Sequence, residues 1–310
     1  MKIAQELLRG DKRALARAIT LVENHHPKSQ ELLQEVFPHS GGSFVVGITG
    51  SPGSGKSTLV DGLAALITRS DRDLGIVAVD PSSPFTGGAV LGDRIRMMQH
   101  SSDPRVFIRS MATRGHLGGL AKATGDVIVL LEAAGKDFVL VETVGVGQDE
   151  VEVVRLAELI LVILTPDVGD DVQVFKAGIM EIADIFVLNK ADSPGSDAME
   201  RRLHALLELG GEGTIRPLVL KTVAPTGEGI EALWEAIQDR RRSQSPGEIE
   251  QRQRRRIGWM LRTILHGKMT ERLTAALPEA EFEALVDRIC QREIDPYTLA
   301  DQVLGEIGEA

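Results

Sequence analysis

The stretch Phe44-Val45-Val46-Gly47-Ile48-Thr49-Gly50-Ser51-Pro52-Gly53-Ser54-Gly55-Lys56-Ser57-Thr58 decides the fold. From Gly50 to Ser57 it fits G-x-x-x-x-G-K-[ST], a pattern that background composition produces about once in a hundred chains of this length. The flanks make it specific. Phe44–Thr49 is a short apolar, β-branched run of the kind that forms a buried strand. Ser57–Thr68 carries apolar residues at helical spacing. A glycine-rich loop between strand and helix lets backbone N–H groups wrap a phosphate chain. The helix N-terminus adds partial positive charge. In that setting the Lys56 ammonium reaches the β- and γ-phosphates and the Ser57 hydroxyl takes Mg²⁺. Gly50, Ser51, Pro52, Gly53, Ser54, Gly55, Lys56, Ser57 and Thr58 are thus the candidate phosphate-binding residues. A plain surface turn requires neither the lysine nor the strand–helix context.

Further apolar runs follow at Gly75–Val79, Val106–Arg109, Phe138–Val141, Leu159–Leu164, Ile185–Leu188 and Leu218–Lys221, most of them separated by helical patterns. Near-continuous apolar strands with interleaved helices imply an α/β, doubly wound, mostly parallel sheet covered on both faces. Its ligand is expected at the carboxyl ends of the strands. The phosphate-loop domain is expected over residues 43–240, between helical regions at 1–42 and 241–310. In the first region Leu7, Leu8, Ala14, Ala18, Leu21 and Val22 recur mostly at three- and four-residue spacings, as one buried helical face does. In the last, Glu248–Leu273 reads as one long helix with Ile257, Met260, Leu261 and Ile264 along a stripe, and Gly258 and Gly267 as its weak points. Shorter helices are expected around Pro278–Gln291 and Pro296–Ile307.

The 310 residues carry 35 Lys+Arg against 45 Asp+Glu, a net charge of −10, which argues against a coat for nucleic acid or anionic membrane. The single cysteine, Cys290, excludes an internal disulfide and a multi-cysteine metal centre within one chain. No apolar run approaches the ~20 residues of a membrane span, and the charged N-terminus has no signal-like core. A cytoplasmic location is expected. Aromatic residues, at 4%, are too sparse for a stacking platform on single strands.

Which nucleotide base is read follows from Asn189-Lys190-Ala191-Asp192, at the end of an apolar strand. Its N-K-x-D order is that of guanine-specific NTPases. The Asp192 carboxylate can accept from guanine N1–H and the N2 amine, and adenine offers neither donor. Such paired polar sites discriminate by factors of about 10⁴. Asn189 can bridge base and phosphate loop, and the Lys190 stem can cover one face of the base. Val223-Ala224-Pro225 suggests a backbone N–H for guanine O6. For Mg²⁺, Asp80 and Glu142 end strands beside the loop, and Asp93 lies in a glycine-rich stretch that could deliver a third carboxylate. The Gly145 N–H, in Glu142-Thr143-Val144-Gly145, is placed to sense the γ-phosphate. Val146 follows it, where many regulatory GTPases carry a water-orienting glutamine; Gln148 is two residues further. Slow intrinsic hydrolysis is expected.

Four segments resemble one family closely: Asp80-Pro81-Ser82-Ser83-Pro84-Phe85-Thr86-Gly87-Gly88, Leu91-Gly92-Asp93-Arg94-Ile95-Arg96-Met97, Arg109-Ser110-Met111-Ala112-Thr113-Arg114-Gly115-His116-Leu117-Gly118-Gly119 and Glu142-Thr143-Val144-Gly145-Val146-Gly147-Gln148. They are similar to the MeaB/ArgK-type G proteins, the methylmalonyl-CoA mutase-associated GTPases, over nearly the whole chain. The resemblance implies a homodimeric SIMIBI-class metallochaperone that binds GTP and GDP. It would gate protection and cofactor loading of an adenosylcobalamin-dependent acyl-CoA mutase, the adenosylcobalamin belonging to the partner. It implies Mg²⁺ on Ser57, Asp80, Asp93 and Glu142, and Lys56, Asp93, Glu142, Gly145 and Lys176 as the catalytic set. A loop over Pro166–Ile179, with Asp170, Asp171, Gln173 and Lys176, would couple mutase binding to hydrolysis. The C-terminal long helix would be the dimerisation arm. Lys221-Thr222-Val223-Ala224 departs from the wider pattern, in which a serine precedes the alanine.

Two other functions stay open: a nucleotide-dependent kinase of a transport protein, and a nickel-insertion GTPase. The first lacks an acceptor-activating motif and the second a Cys/His cluster. Elsewhere the basic run Arg252, Arg254, Arg255, Arg256 reads as a solvated or interface helix face. His100 and His116 read as structural or switch contacts, His25-His26 as a helix end, and Cys290 as a buried small hydrophobe.

Overall fold

The computed structural model describes residues 1–80, 100, 102–112, 119–143, 156–166, 182–208 and 216–309. Its compact units are Met1–Ile257 and Gly258–Ala310. In the first, strands β1 (Phe44–Gly50), β2 (Leu74–Asp80), β3 (Val106–Ala112), β4 (Phe138–Thr143), β5 (Leu159–Leu164), β6 (Ile185–Asn189) and β7 (Leu218–Thr222) form one seven-stranded sheet in the order β3-β2-β4-β1-β5-β6-β7. Every pairing is parallel. The expected strands are all present, most of them a residue or two longer than their apolar runs.

The reason for those runs is visible in the packing. Alternate residues along a strand point to opposite faces, and here both faces are covered. Leu159, Leu161 and Ile163 of β5 join Val46 and Ile48 of β1 beneath α4 (Lys56–Arg69) and α7 (Ile230–Ser243). Ile160, Val162 and Leu164, from the same strand, pack with Phe186 and Leu188 against Met199 and Leu203 of α6 (Ser196–Glu208). No position on β5 could be polar without burial of an unpaired group.

The N-terminal helices α1 (Lys2–Leu8), α2 (Lys12–Glu23) and α3 (Lys28–Val36) pack on α5 (Gly119–Ala133). Leu7, Ala14, Ala18 and Val22 are buried as their spacing predicts, but Leu15 and Ile19 complete the face, and Leu8 and Leu21 are only half-buried. Asp11 caps α2 by accepting from Ala14 N–H at 2.7 Å. Lys12 donates to Asp103 O (2.8 Å) and Val106 O (2.7 Å), and Arg109 of β3 pairs with Glu23. These contacts tie α2 to an edge strand that would otherwise be open.

Helix α8 (Pro246–Ala276) runs 31 residues without a break, so Gly258 and Gly267 weaken it without ending it. In the second unit it is followed by α9 (Glu279–Cys290) and α10 (Pro296–Glu309). Cys290 is exposed, not buried. The apolar spacing that suggested burial belongs to a helix with no buried residue in the single chain. No helix among the described residues is long and apolar enough to cross a membrane.

At the lower end of the sheet Phe138 meets Trp234 edge-on at 5.0 Å and Phe44 at 6.0 Å, with the Arg241 guanidinium 4.7 Å above its ring. Phe138→Ala is expected to cost about 3–5 kcal/mol of stability through the cavity and the lost ring contacts. Urea unfolding with an unchanged m-value checks it.

Candidate functional site

The phosphate loop leaves β1 at Gly50, whose φ is 145° and where an added Cβ would lie 2.3 Å from Ile163 O of β5. Only glycine allows the turn and this approach together. Gly55, with φ 89°, stands just before α4, and a Cβ there would lie 2.3 Å from Asn189 Nδ2. The loop is therefore pressed between two strand ends.

Within it, the buried Lys56 ammonium donates to Gly50 O (2.7 Å) and Ser51 O (3.0 Å), folding the side chain back over its own loop. Pro52 and Gly53 are exposed at the tip, and Ser51 and Ser54 are buried. Ser57 and Thr58 lie in the first turn of α4. Ser57 Oγ donates to Glu142 Oε1 at 2.7 Å. Glu142 is 5% exposed near the end of β4. A hydroxyl and a carboxylate so close are hard oxygen donors of the type Mg²⁺ takes. Asp80 is the last residue of β2, two beyond Ala78, which pairs with Glu142. The loop, Ser57 and Glu142 are thus brought together, with the backbone of Asp80 on the adjacent strand. Asp93, Gly145, Val146, Gln148, Asp170, Asp171, Gln173 and Lys176 lie outside the described residues.

The second loop cluster is organised by Asn189, which is buried. Its Nδ2 donates to Ser54 O at 2.8 Å. Its Oδ1 accepts from Thr222 Oγ1 at 3.0 Å and from Ala224 N–H at 3.1 Å. One side chain therefore binds the phosphate loop to the ends of β6 and β7. Lys190 follows with φ 54°, the left-handed turn that aims the next residues outward. Ala191 N–H closes onto Thr222 O at 3.1 Å, and Asp192 is exposed.

Thr222 was not singled out from the sequence. The signal is its register: it sits opposite Asn189 in the β6–β7 pair. The backbone N–H groups of Val223-Ala224-Pro225 have partners within the chain. Val223 N–H donates to Glu228 O, Ala224 N–H to Asn189 Oδ1, and proline has no N–H. A ligand oxygen reaches the Ala224 donor only in competition with Asn189. Lys221 ion-pairs with Asp197 (2.9 Å) and Glu200 (2.6 Å) of α6, and their hydrogen bonds hold its pKa above the ordinary lysine value. His100 Nε2 stands 3.1 Å from Asp61 Oδ1 on α4, a structural contact of the expected kind.

Residues 15–278 match the family model described as methylmalonyl Co-A mutase-associated GTPase MeaB. The chain belongs to this family. A relative from Pyrococcus abyssi, described as a GTPase, is 48% identical over 99% of this chain and 96% of its own length. A mouse relative, the mitochondrial methylmalonic aciduria type A homolog, is 33% identical over 96% of this chain and 77% of its own. A solved structure titled LAO/AO transport system kinase superposes with a TM-score of 0.71 at 27% identity, covering 99% of this chain and 97% of that one. The chain is a P-loop GTPase that binds guanine nucleotide.

Thr222→Val keeps the side-chain shape but removes the hydroxyl that fixes the Asn189 amide. At about 1 kcal/mol for one such bond, GDP affinity is expected to fall about fivefold, measured by calorimetric titration. Gly50→Ala, which drives a methyl into the Ile163 carbonyl, is expected to lower GDP affinity further, read in the same titration.

Proposed function

We propose that this GTPase is a nucleotide-gated chaperone of an adenosylcobalamin-dependent acyl-CoA mutase of the methylmalonyl-CoA type. The observation that carries the nucleotide reading is the Asn189 amide, which joins Ser54 O of the phosphate loop to the loop after β7. The family match over residues 15–278 supports the client class, as does the mouse relative's name.

In this reading the N–H groups at the start of α4 and the Lys56 ammonium hold the phosphates. Asp192 reads guanine N1–H and N2, and the Lys190 stem covers the base. Ser57, Asp80, Asp93 and Glu142 hold Mg²⁺. The ion neutralises charge on the phosphate oxygens when bound. Gly145 senses the γ-phosphate, and Lys176 acts in the loop that answers the client. With valine at 146, where no polar group can orient water, hydrolysis by the chain alone is slow.

GTP turnover by the purified protein, alone and with the mutase, is the test. The expected outcome is a slow basal rate that the mutase raises. An unchanged rate, or label passing from nucleotide to a transport protein as in the solved kinase's title, overturns the reading. Asp192→Asn exchanges an acceptor for a donor. It is expected to weaken GTP by about 10² or more and to favour xanthosine triphosphate, in competition binding assays.

The long helix supports the homodimer part of the reading. Ile257 (51% exposed), Leu261 (55%), Leu265 (49%), Met269 (65%) and Leu273 (38%) recur every four residues along α8. An apolar stripe of this kind is suited to a matching helix of a second copy. Leu265→Glu is expected to give a monomer by light scattering, with GDP binding retained.

A further inference from the structure

Alternate residues of a strand face opposite sides of a sheet. In the edge strand β7, Val219 packs on the α6 side and Leu220 on the side of α4 and α7. Lys221 and Thr222, the last residues of the strand, continue that alternation. Thr222, on the face of Leu220, donates from Oγ1 to Asn189 Oδ1 at 3.0 Å. Lys221, on the face of Val219, reaches the other way. Its Nζ lies 2.9 Å from Asp197 Oδ1 and 2.6 Å from Glu200 Oε2, in the opening turns of α6. Between the two side chains, the Thr222 carbonyl accepts the Ala191 N–H at 3.1 Å.

Residues 190–195 connect β6 to α6 and carry Asp192. Adjacent residues of one strand therefore grip both ends of this loop. Thr222 holds its start, through Asn189 and Ala191, and Lys221 holds its end, through Asp197 and Glu200. Within it Lys190 has φ 54° and Gly195 φ 94°, and Ser193 N–H donates to Lys190 O at 2.9 Å. In so short and tightly turned a connection, a shift at either end displaces the middle. We propose, resting on Asp192 as the base acceptor, that Lys221 is a positioning residue for guanine selection: it clasps α6 to β7 so that the Asp192 carboxylate stands where guanine N1–H and the N2 amine arrive.

Glu200 is the stronger arm of the clasp, being 32% exposed where Asp197 is 78%. Exposed ion pairs are individually weak. Most of the attachment of α6 comes from Met199 and Leu203, which pack on Phe186 and Leu188. Lys221 therefore sets where the opening turns of α6 lie, not whether the helix is held. That small adjustment matters at Asp192 because a carboxylate that accepts two hydrogen bonds from one base edge weakens both when it is displaced.

GDP titrations of the full-length protein, Lys221→Ala, Asp192→Asn and the double variant test this as a double-mutant cycle. Lys221→Ala is expected to lower GDP affinity about threefold when Asp192 is present and to change nothing in the Asp192→Asn background. A residue that acts through the carboxylate has nothing left to place once the carboxylate is gone. Lys221→Arg, which keeps the charge and the donors, is expected to restore the affinity. Where Asp192→Asn weakens GDP, an equal loss from Lys221→Ala in both backgrounds, or no loss in either, overturns the clasp and leaves Asp192 its role. If Asp192→Asn alone leaves GDP affinity unchanged, the base acceptor is wrong and the clasp falls with it. If Lys221→Ala fails to fold, Asp197→Asn combined with Glu200→Gln removes the clasp from the α6 side and takes its place in the cycle.

Discussion

Everything in the first unit depends on a parallel sheet buried on both faces. With α4 and α7 on one side and α6 on the other, β5 has no position at which a polar side chain could reach water. Polar chemistry is thereby pushed to the strand ends. The upper ends of β1, β4, β6 and β7 hold the phosphate loop, Glu142, Asn189 and Thr222. The lower ends of β1 and β5 are closed by Glu158 and Asp184. Two ends of one layer carry two kinds of polar group: the phosphate loop with its hydrogen-bonded strand ends above, and the attachment of the first turns of α8 below.

Asn189 shows how strand order becomes function. β6 lies two strands from β1, with β5 between, and the amide crosses that gap to Ser54 O. The acceptor end is fixed by Thr222 and Ala224 and one Nδ2 hydrogen by Ser54 O, so the amide has one orientation. The phosphate loop and the loops after β6 and β7 are thus tied together through one side chain. Gly55 is glycine for this reason: a methyl there would displace the Asn189 amide.

The phosphate loop, its strand and its helix were legible because a phosphate chain demands a short, contiguous arrangement of backbone donors, one cation and one hydroxyl. N-K-x-D was legible for the same reason. The strands were legible as apolar runs because double-sided burial leaves no polar alternation to blur them. Thr222 was not, because its task is set by the register of β7 against β6. A three-residue pattern such as Val223-Ala224-Pro225 names a backbone group, and the fold decides what that group bonds within the chain.

The sequence by itself determined the fold class, the family and the guanine nucleotide, since each is written in contiguous motifs or in periodicity. The tertiary structure alone decided what the isolated residues do. It paired Ser57 with Glu142, 85 positions apart. It left Cys290 on the surface, and it divided a run of arginines into two that face water and two that pair with Asp184 and Glu132. The physical reason is common to all three. Burial and charge pairing depend on which distant elements share a surface, and local sequence carries no record of its neighbours across the fold.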